Sequence, residues 1–201
     1  MNERLTWTVT THDWSQDLDR EHLAGIRSTA DAYRAGGRRH MVLEVLAYAD
    51  EEAESIGRVG HAVVTTRADG SVTVADDGRG TDTRTDDQGR VIRKPVMATR
   101  DVRFFDVPDA PLLPDGLPRR GMSTVAALCP LLVHENHRAT GAWSQTYRYG
   151  IPDGELQAVG PARPSGTSVT FRPDDDLRGP ASLVADDLTA FPWLRVGLRE
   201  E

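Results

Sequence analysis

The hydrophobic period of this chain changes near residue 57, and that change constrains its architecture more tightly than any other feature. Before it, apolar residues recur at helical spacing. Leu23, Ile26, Ala30 and Tyr33 mark a helix over 18–35 that Gly36-Gly37 would stop. A second helix, over about 38–55, carries the run Met41-Val42-Leu43-Glu44-Val45-Leu46-Ala47. Beyond it the period becomes two. Residues 61–66 and 71–75 read as strands joined through Ala68-Asp69-Gly70, a hairpin signal. Directly after that hairpin stands Asp76-Asp77-Gly78-Arg79-Gly80.

Downstream, 81–115 reads as a long polar, lid-like connection containing Pro95, Pro108, Pro111 and Pro114. A helix is predicted at about 121–130, and strands at 131–135, 143–149 and 167–172, with a turn through 149–154. A last helix is expected to begin near Pro180, where proline suits the first turn, and to end before Pro192. Leu5, Trp7 and Val9 alternate within 1–16, which suggests an N-terminal arm or edge strand. The whole of 1–201 is expected to be one domain of the α+β class, a two-layer sandwich of helices on a mostly antiparallel sheet.

With 38% hydrophobic and 27% charged residues, the composition suits a globular protein. No stretch approaches the roughly 20 apolar residues of a membrane helix, and the N-terminus lacks a signal-peptide pattern, so a cytoplasmic location is expected. A net charge of −7 argues against a nonspecific DNA-binding surface. The single cysteine, Cys129, excludes an intramolecular disulfide and lies in an apolar run as a small core residue. His134 and His137 lack a third nearby ligand and are expected on the surface. Asp174-Asp175-Asp176 reads as a solvated approach to the last helix.

Glu44 is the chemical oddity: a carboxylate inside an apolar helical run. It is either a solvated helix edge or a functional base. Asp76-Asp77-Gly78-Arg79-Gly80 is either a plain strand-ending turn or a place where backbone closely approaches a ligand. Gly166-Thr167-Ser168-Val169-Thr170-Phe171 supplies a third landmark.

These three pieces, in that order, resemble the ATP-binding domain of the B subunits of DNA gyrase and topoisomerase IV. That domain belongs to the GHKL superfamily with Hsp90, MutL and histidine kinases. The likeness runs from about Leu23 to Gly197, includes Tyr147-Arg148-Tyr149-Gly150-Ile151-Pro152 and Leu194-Arg195-Val196-Gly197, and implies the Bergerat-type ATP-binding fold. Within it, Asp76 matches the aspartate that accepts from the adenine amino group, supported by Thr167. Gly78 and Gly80 allow close backbone approach, and Arg79 lies at the mouth of the adenine pocket. Glu44, with His40 four residues before it, matches the His-x-x-x-Glu of the general base.

Two elements depart from the family. Tyr48 stands where the Mg²⁺-ligating asparagine belongs, and Ala47 replaces the aspartate before it, which puts Mg²⁺ in doubt; Glu51 is a remote alternative ligand. The phosphate-cradling Gly-Leu-His-Gly-Val-Gly is here Gly116-Leu117-Pro118-Arg119-Arg120-Gly121. Pro118 removes an amide donor. Arg119 and Arg120 either bind phosphate in place of the missing metal charge or form a solvated basic turn.

The resemblance therefore implies an adenine-nucleotide-binding domain for ATP or ADP, with slow or absent hydrolysis and a nucleotide-responsive regulatory role. One alternative is a pseudo-ATPase that binds a protein partner, such as gyrase itself, or a gyrase inhibitor. Another is the ATPase part of a split topoisomerase. The family's transducer and cleavage domains have no counterpart in the sequence, so it is not expected to be a complete topoisomerase. No membrane or direct DNA contact is expected, and a monomer is.

Overall fold

The computed structural model describes residues 11–12, 16–81, 84–89, 91–92, 95–138, 141–160 and 164–201. The suggested arm at 1–16 falls almost wholly outside them. Among these residues, four α-helices and a seven-stranded sheet form two layers, so the α+β expectation holds. The helices are α1 (Arg20–Ser28), α2 (Gly37–Ser55), α3 (Met122–Ala127) and α4 (Ala185–Thr189). The large sheet contains β1 (Gly60–Thr66), β2 (Val72–Asp76), β5 (Leu131–Arg138), β6 (Gly141–Arg148), β7 (Ile151–Ala158), β8 (Gly166–Arg172) and β9 (Leu194–Glu200). A short ribbon, β3 (Arg84–Thr85) and β4 (Val91–Ile92), stands apart. The strand order is β7-β6-β5-β8-β2-β1-β9, antiparallel throughout except for β1 against β9.

Local chemistry sets the helix limits. Asp19 caps α1 by accepting the His22 N–H at 2.9 Å. The helix ends earlier than 35 because the Ser28 and Thr29 hydroxyls both donate to the Gly25 carbonyl, at 2.8 and 3.0 Å. Such side-chain bonds compete with helical ones, and a single 3-10 turn at Ala30–Tyr33 follows. α2 is buried on every side for about two turns, from His40 to Ala47. It packs on β1, β2 and β9 and also against α3. The last helix does not start at Pro180. It is the short α4, whose Asp187 accepts the Val184 N–H at 2.8 Å and binds Arg39 through both oxygens, at 2.9 and 2.6 Å.

Two strands differ from the expected pattern. β7 occupies residues read as a turn, and β9 pairs in parallel with β1 from Gly60↔Leu194 to Thr66↔Glu200. The described part of the 81–115 connection also differs from an irregular polar loop. Val96, Met97, Ala98, Phe104 and Leu113 are buried, and all but Phe104 join the main core. That core lies between α2, α3 and the sheet, around Leu43, Leu46, Val125, Leu132, Tyr147 and Phe171. Cys129 is fully buried in it. His134 and His137 correct the surface expectation: both are buried, at 2% and 8% exposure. Adjacent strands cover them, and Trp143 meets the His134 ring edge-on at 5.0 Å.

Candidate functional site

Asp76 ends β2 beside the first residues of β8. Its Oδ1 accepts two backbone N–H groups, from Gly78 at 2.9 Å and from Thr167 at 3.2 Å. Those amides hold the carboxylate in one orientation. Burial pushes its pKa above the ordinary aspartate range, the two amides oppose the rise, and nearby Glu52 adds to it. Glycine at 166 is required for this junction, since a Cβ there would run into the Asp76 carbonyl oxygen.

The carboxylate lines a small open cleft of about 100 Å³ with Tyr48, Ala49, Glu52, Arg79, Gly80, Thr81 and Thr167. Arg79 closes one side by donating Nε to Glu52 at 2.6 Å and Nη2 to the Ser55 hydroxyl at 3.2 Å. Gly80 sits at φ +78, with the His137 carbonyl 2.6 Å from where a Cβ would stand. Asn136, fully buried, clamps the next residue. Its Oδ1 accepts the Thr81 N–H at 2.6 Å and its Nδ2 donates to the Thr81 carbonyl at 3.4 Å. Sequence reading does not find Asn136, because nothing in a strand reading His-Glu-Asn-His marks one residue as the partner of a loop 55 positions away.

Tyr48 lies one helical turn after Glu44 and forms a wall of the Asp76 cleft. Glu44 is buried deeper, at 1% exposure. Both of its oxygens meet the segment that precedes α3. Oε1 accepts the Arg120 N–H at 2.5 Å, and Oε2 accepts the Gly121 N–H at 3.1 Å. His40 Nε2 lies 3.5 Å from Glu44, and His40 Nδ1 lies 2.8 Å from Asp115. Burial raises the Glu44 pKa, while His40, the two amides and Arg119 act against the rise.

The two arginines of that segment are engaged within the protein. Arg119, 6% exposed, binds Glu51 in bidentate fashion at 2.5 and 3.0 Å. Arg103 reaches the same carboxylate at 3.0 and 3.1 Å and Asp101 at 2.7 Å. The Phe104 ring lies near both guanidiniums, 4.4 Å from Arg103 and 4.2 Å from Arg119. Arg120 turns its guanidinium to the Phe104 carbonyl at 3.3 Å. Gly116 turns the same loop at φ +81, in open space. The structure thus brings Asp76, Gly80, Arg79 and Thr167 to one cleft. It gathers Glu44, Arg119, Arg120 and Gly121 at a neighbouring junction between α2 and the loop. Among the described residues, no three His, Cys, Asp or Glu side chains converge as a metal set. Nor, among them, is any helix long and apolar enough to cross a membrane.

No protein-family model matches the chain. The chain is 27% identical over 205 aligned residues to the DNA gyrase B subunit of Halalkalibacterium halodurans, an alignment covering 97% of this chain and 32% of the relative. It is 30% identical over 143 residues to the DNA topoisomerase 4 B subunit of Staphylococcus epidermidis, covering 70% of this chain and 21% of the relative. The chain therefore spans a third or less of the curated relatives it matches. Among solved structures, the topoisomerase IV ATP-binding domain of Francisella tularensis, in complex with a small-molecule inhibitor, superposes with a TM-score of 0.56 at 20% identity. That match covers 75% of this chain and 40% of the other. Sequence relationship and shared fold together make the chain a member of the GHKL ATP-binding domains of type II topoisomerase B subunits.

Proposed function

We propose that the chain is an adenine-nucleotide-binding domain of the gyrase B type, with slow or absent ATP hydrolysis, serving as a nucleotide-responsive regulatory module. The observation that carries this reading is the Asp76 cleft. A half-buried carboxylate, oriented by the Gly78 and Thr167 amides, offers an acceptor beside a narrow slot walled by Tyr48 and Gly80. Such an acceptor discriminates strongly in favour of a ligand bearing a donor, because a wrong ligand leaves it unsatisfied.

The state of Glu44 supports slow or absent hydrolysis. A general base needs a free carboxylate oxygen within reach of the attacking water. Here each oxygen of Glu44 already accepts a backbone N–H, from Arg120 or Gly121, and the residue is buried among α2 and the loop, so water has no open approach to the lone pairs that remain. Mg²⁺ does not fit the residues present: a phenol stands at Tyr48, both Glu44 oxygens are engaged, and Glu51 is held by two arginines. Mg²⁺ demands several hard oxygen ligands in octahedral array, and no step is assigned to it.

A second reading has its own support. The burial of Arg119 against Glu51 suits a pseudo-ATPase whose occupant is a protein partner, such as gyrase, or a gyrase inhibitor. Calorimetric titration with a non-hydrolysable ATP analogue and with adenosine, on the wild type and Asp76→Asn, separates the two. Binding that Asp76→Asn abolishes supports the nucleotide reading. Absence of binding of both the analogue and adenosine to the wild type overturns it in favour of the second.

A further inference from the structure

The Asp76 cleft and its neighbouring junction offer little to a polyanion. Of the charged side chains lining the cleft among the described residues, Asp76 and Glu52 are acidic, and the one cation, Arg79, is bonded to Glu52 at 2.6 Å. All five N–H groups of the adjoining loop 116–121 are engaged internally: Gly116, Leu117 and Arg119 donate to Leu113, Asp115 and Pro111, and Arg120 and Gly121 donate to Glu44. Pro118 contributes no N–H at all. Arg119 is buried against Glu51, and the Arg120 guanidinium donates to the Phe104 carbonyl. An incoming phosphate must therefore displace Glu44 from two charge-assisted hydrogen bonds, or part Arg119 from Glu51. Separating a buried charge from its partners is among the costliest changes a site can undergo.

The same surfaces suit a neutral planar ligand. Tyr48 supplies an aromatic wall, Asp76 an acceptor, and the backbone about Gly80 a close approach. The cleft volume of about 100 Å³ is also well below the roughly 300–1,000 Å³ of pockets that enclose larger ligands. We propose, resting on the adenine reading above, that the site selects uncharged adenine ligands, of the nucleoside or free-base class, over nucleoside triphosphates. Glu44 then acts as an internal anion that occupies the amides a phosphate would otherwise claim.

The experiment is calorimetric titration of the full chain with adenosine and with ATP, each in Mg²⁺ and in EDTA. Adenosine is expected to bind at least as tightly as ATP, and the metal is expected to change neither affinity by more than about twofold. ATP binding tenfold tighter than adenosine overturns the selectivity and leaves the adenine reading standing. Binding of neither ligand overturns both. Glu44→Ala, which frees both amides, is expected to shift the ATP-to-adenosine affinity ratio about tenfold towards ATP. Glu51→Gln, on the more exposed part of α2, is expected to shift it the same way if Glu44→Ala does not fold. An unchanged ratio in a folded variant overturns the role given to the internal carboxylates.

Discussion

Glu51 on α2 and Arg119 before α3 form a bidentate pair, Nη1 to Oε1 at 2.5 Å and Nη2 to Oε2 at 3.0 Å. The pair fastens the 95–121 segment to the central helix, and Arg103 reinforces it from the same segment. Charge that the sequence offers to a phosphate is thereby used inside the protein.

Arg119→Ala is expected to lower stability by about 2 kcal/mol. Losing one partner of a buried pair costs more, roughly 3–5 kcal/mol, but Glu51 is one-third exposed and keeps Arg103. Thermal unfolding should show a drop of about 4–8 °C for a chain of this size. An unchanged midpoint would mean that the pair contributes nothing net.

Asn136→Ala should cost about 1–3 kcal/mol, because the buried Thr81 N–H and carbonyl both lose a partner. Amide hydrogen exchange gives the sharper readout. The Thr81 N–H should exchange much faster in the variant, while the β5–β6 ladder keeps its protection.

Gly80→Ala should be more damaging than an ordinary loop substitution. The residue adopts φ +78, and its Cβ would stand 2.6 Å from the His137 carbonyl. A loss of about 2–4 kcal/mol is expected from strain and displacement together, checked by denaturant unfolding. A loss below about 0.5 kcal/mol would mean that the loop relaxes freely.

How far these features can be read from sequence follows from the range of the interactions. α2, the β1–β2 hairpin and strands β5, β6 and β8 announce themselves through local period. β7 does not, since Pro152, Asp153 and Gly154 carry turn chemistry. An edge strand with an irregular register near Ser144 tolerates them. α1 stops early through two hydroxyls, a competition that hydrophobic spacing does not record. At the site, Glu44, Asp76 and Thr167 stand out as residue types in context. Asp101, Asp115 and Asn136 do not, because each takes its meaning from a partner supplied by the fold. The internal engagement of Arg119 is invisible for the same reason: Glu51 lies 68 positions away.

Asp76→Asn should preserve the turn, because an amide oxygen can still accept from Gly78 and Thr167. It should abolish adenine-ligand binding. The two proteins should also differ in their pH dependence. Burial raises the Asp76 pKa above its ordinary 3.8, so the folded state binds a proton more readily than the unfolded chain. Stability from this group is present at low pH and declines as pH rises through the raised value. The wild type should therefore lose stability relative to Asp76→Asn across that acidic window, measured by denaturant unfolding at a series of pH values. Ligand affinity of the wild type should move in the opposite sense, weakening as the carboxylate is protonated. Parallel stability curves for the two proteins would refute the assignment.

The parallel pairing of β9 with β1 has a consequence for the timing of assembly. β1 leads into the hairpin that ends at Asp76, yet its outer edge is covered by residues 194–200. The Arg67–Glu201 ion pair closes the same seam across 134 positions. Contacts of such long sequence separation form slowly, since loop closure must precede any gain from them. During synthesis the strand behind the Asp76 cleft must wait, open along one side, until residues 194–200 have left the ribosome.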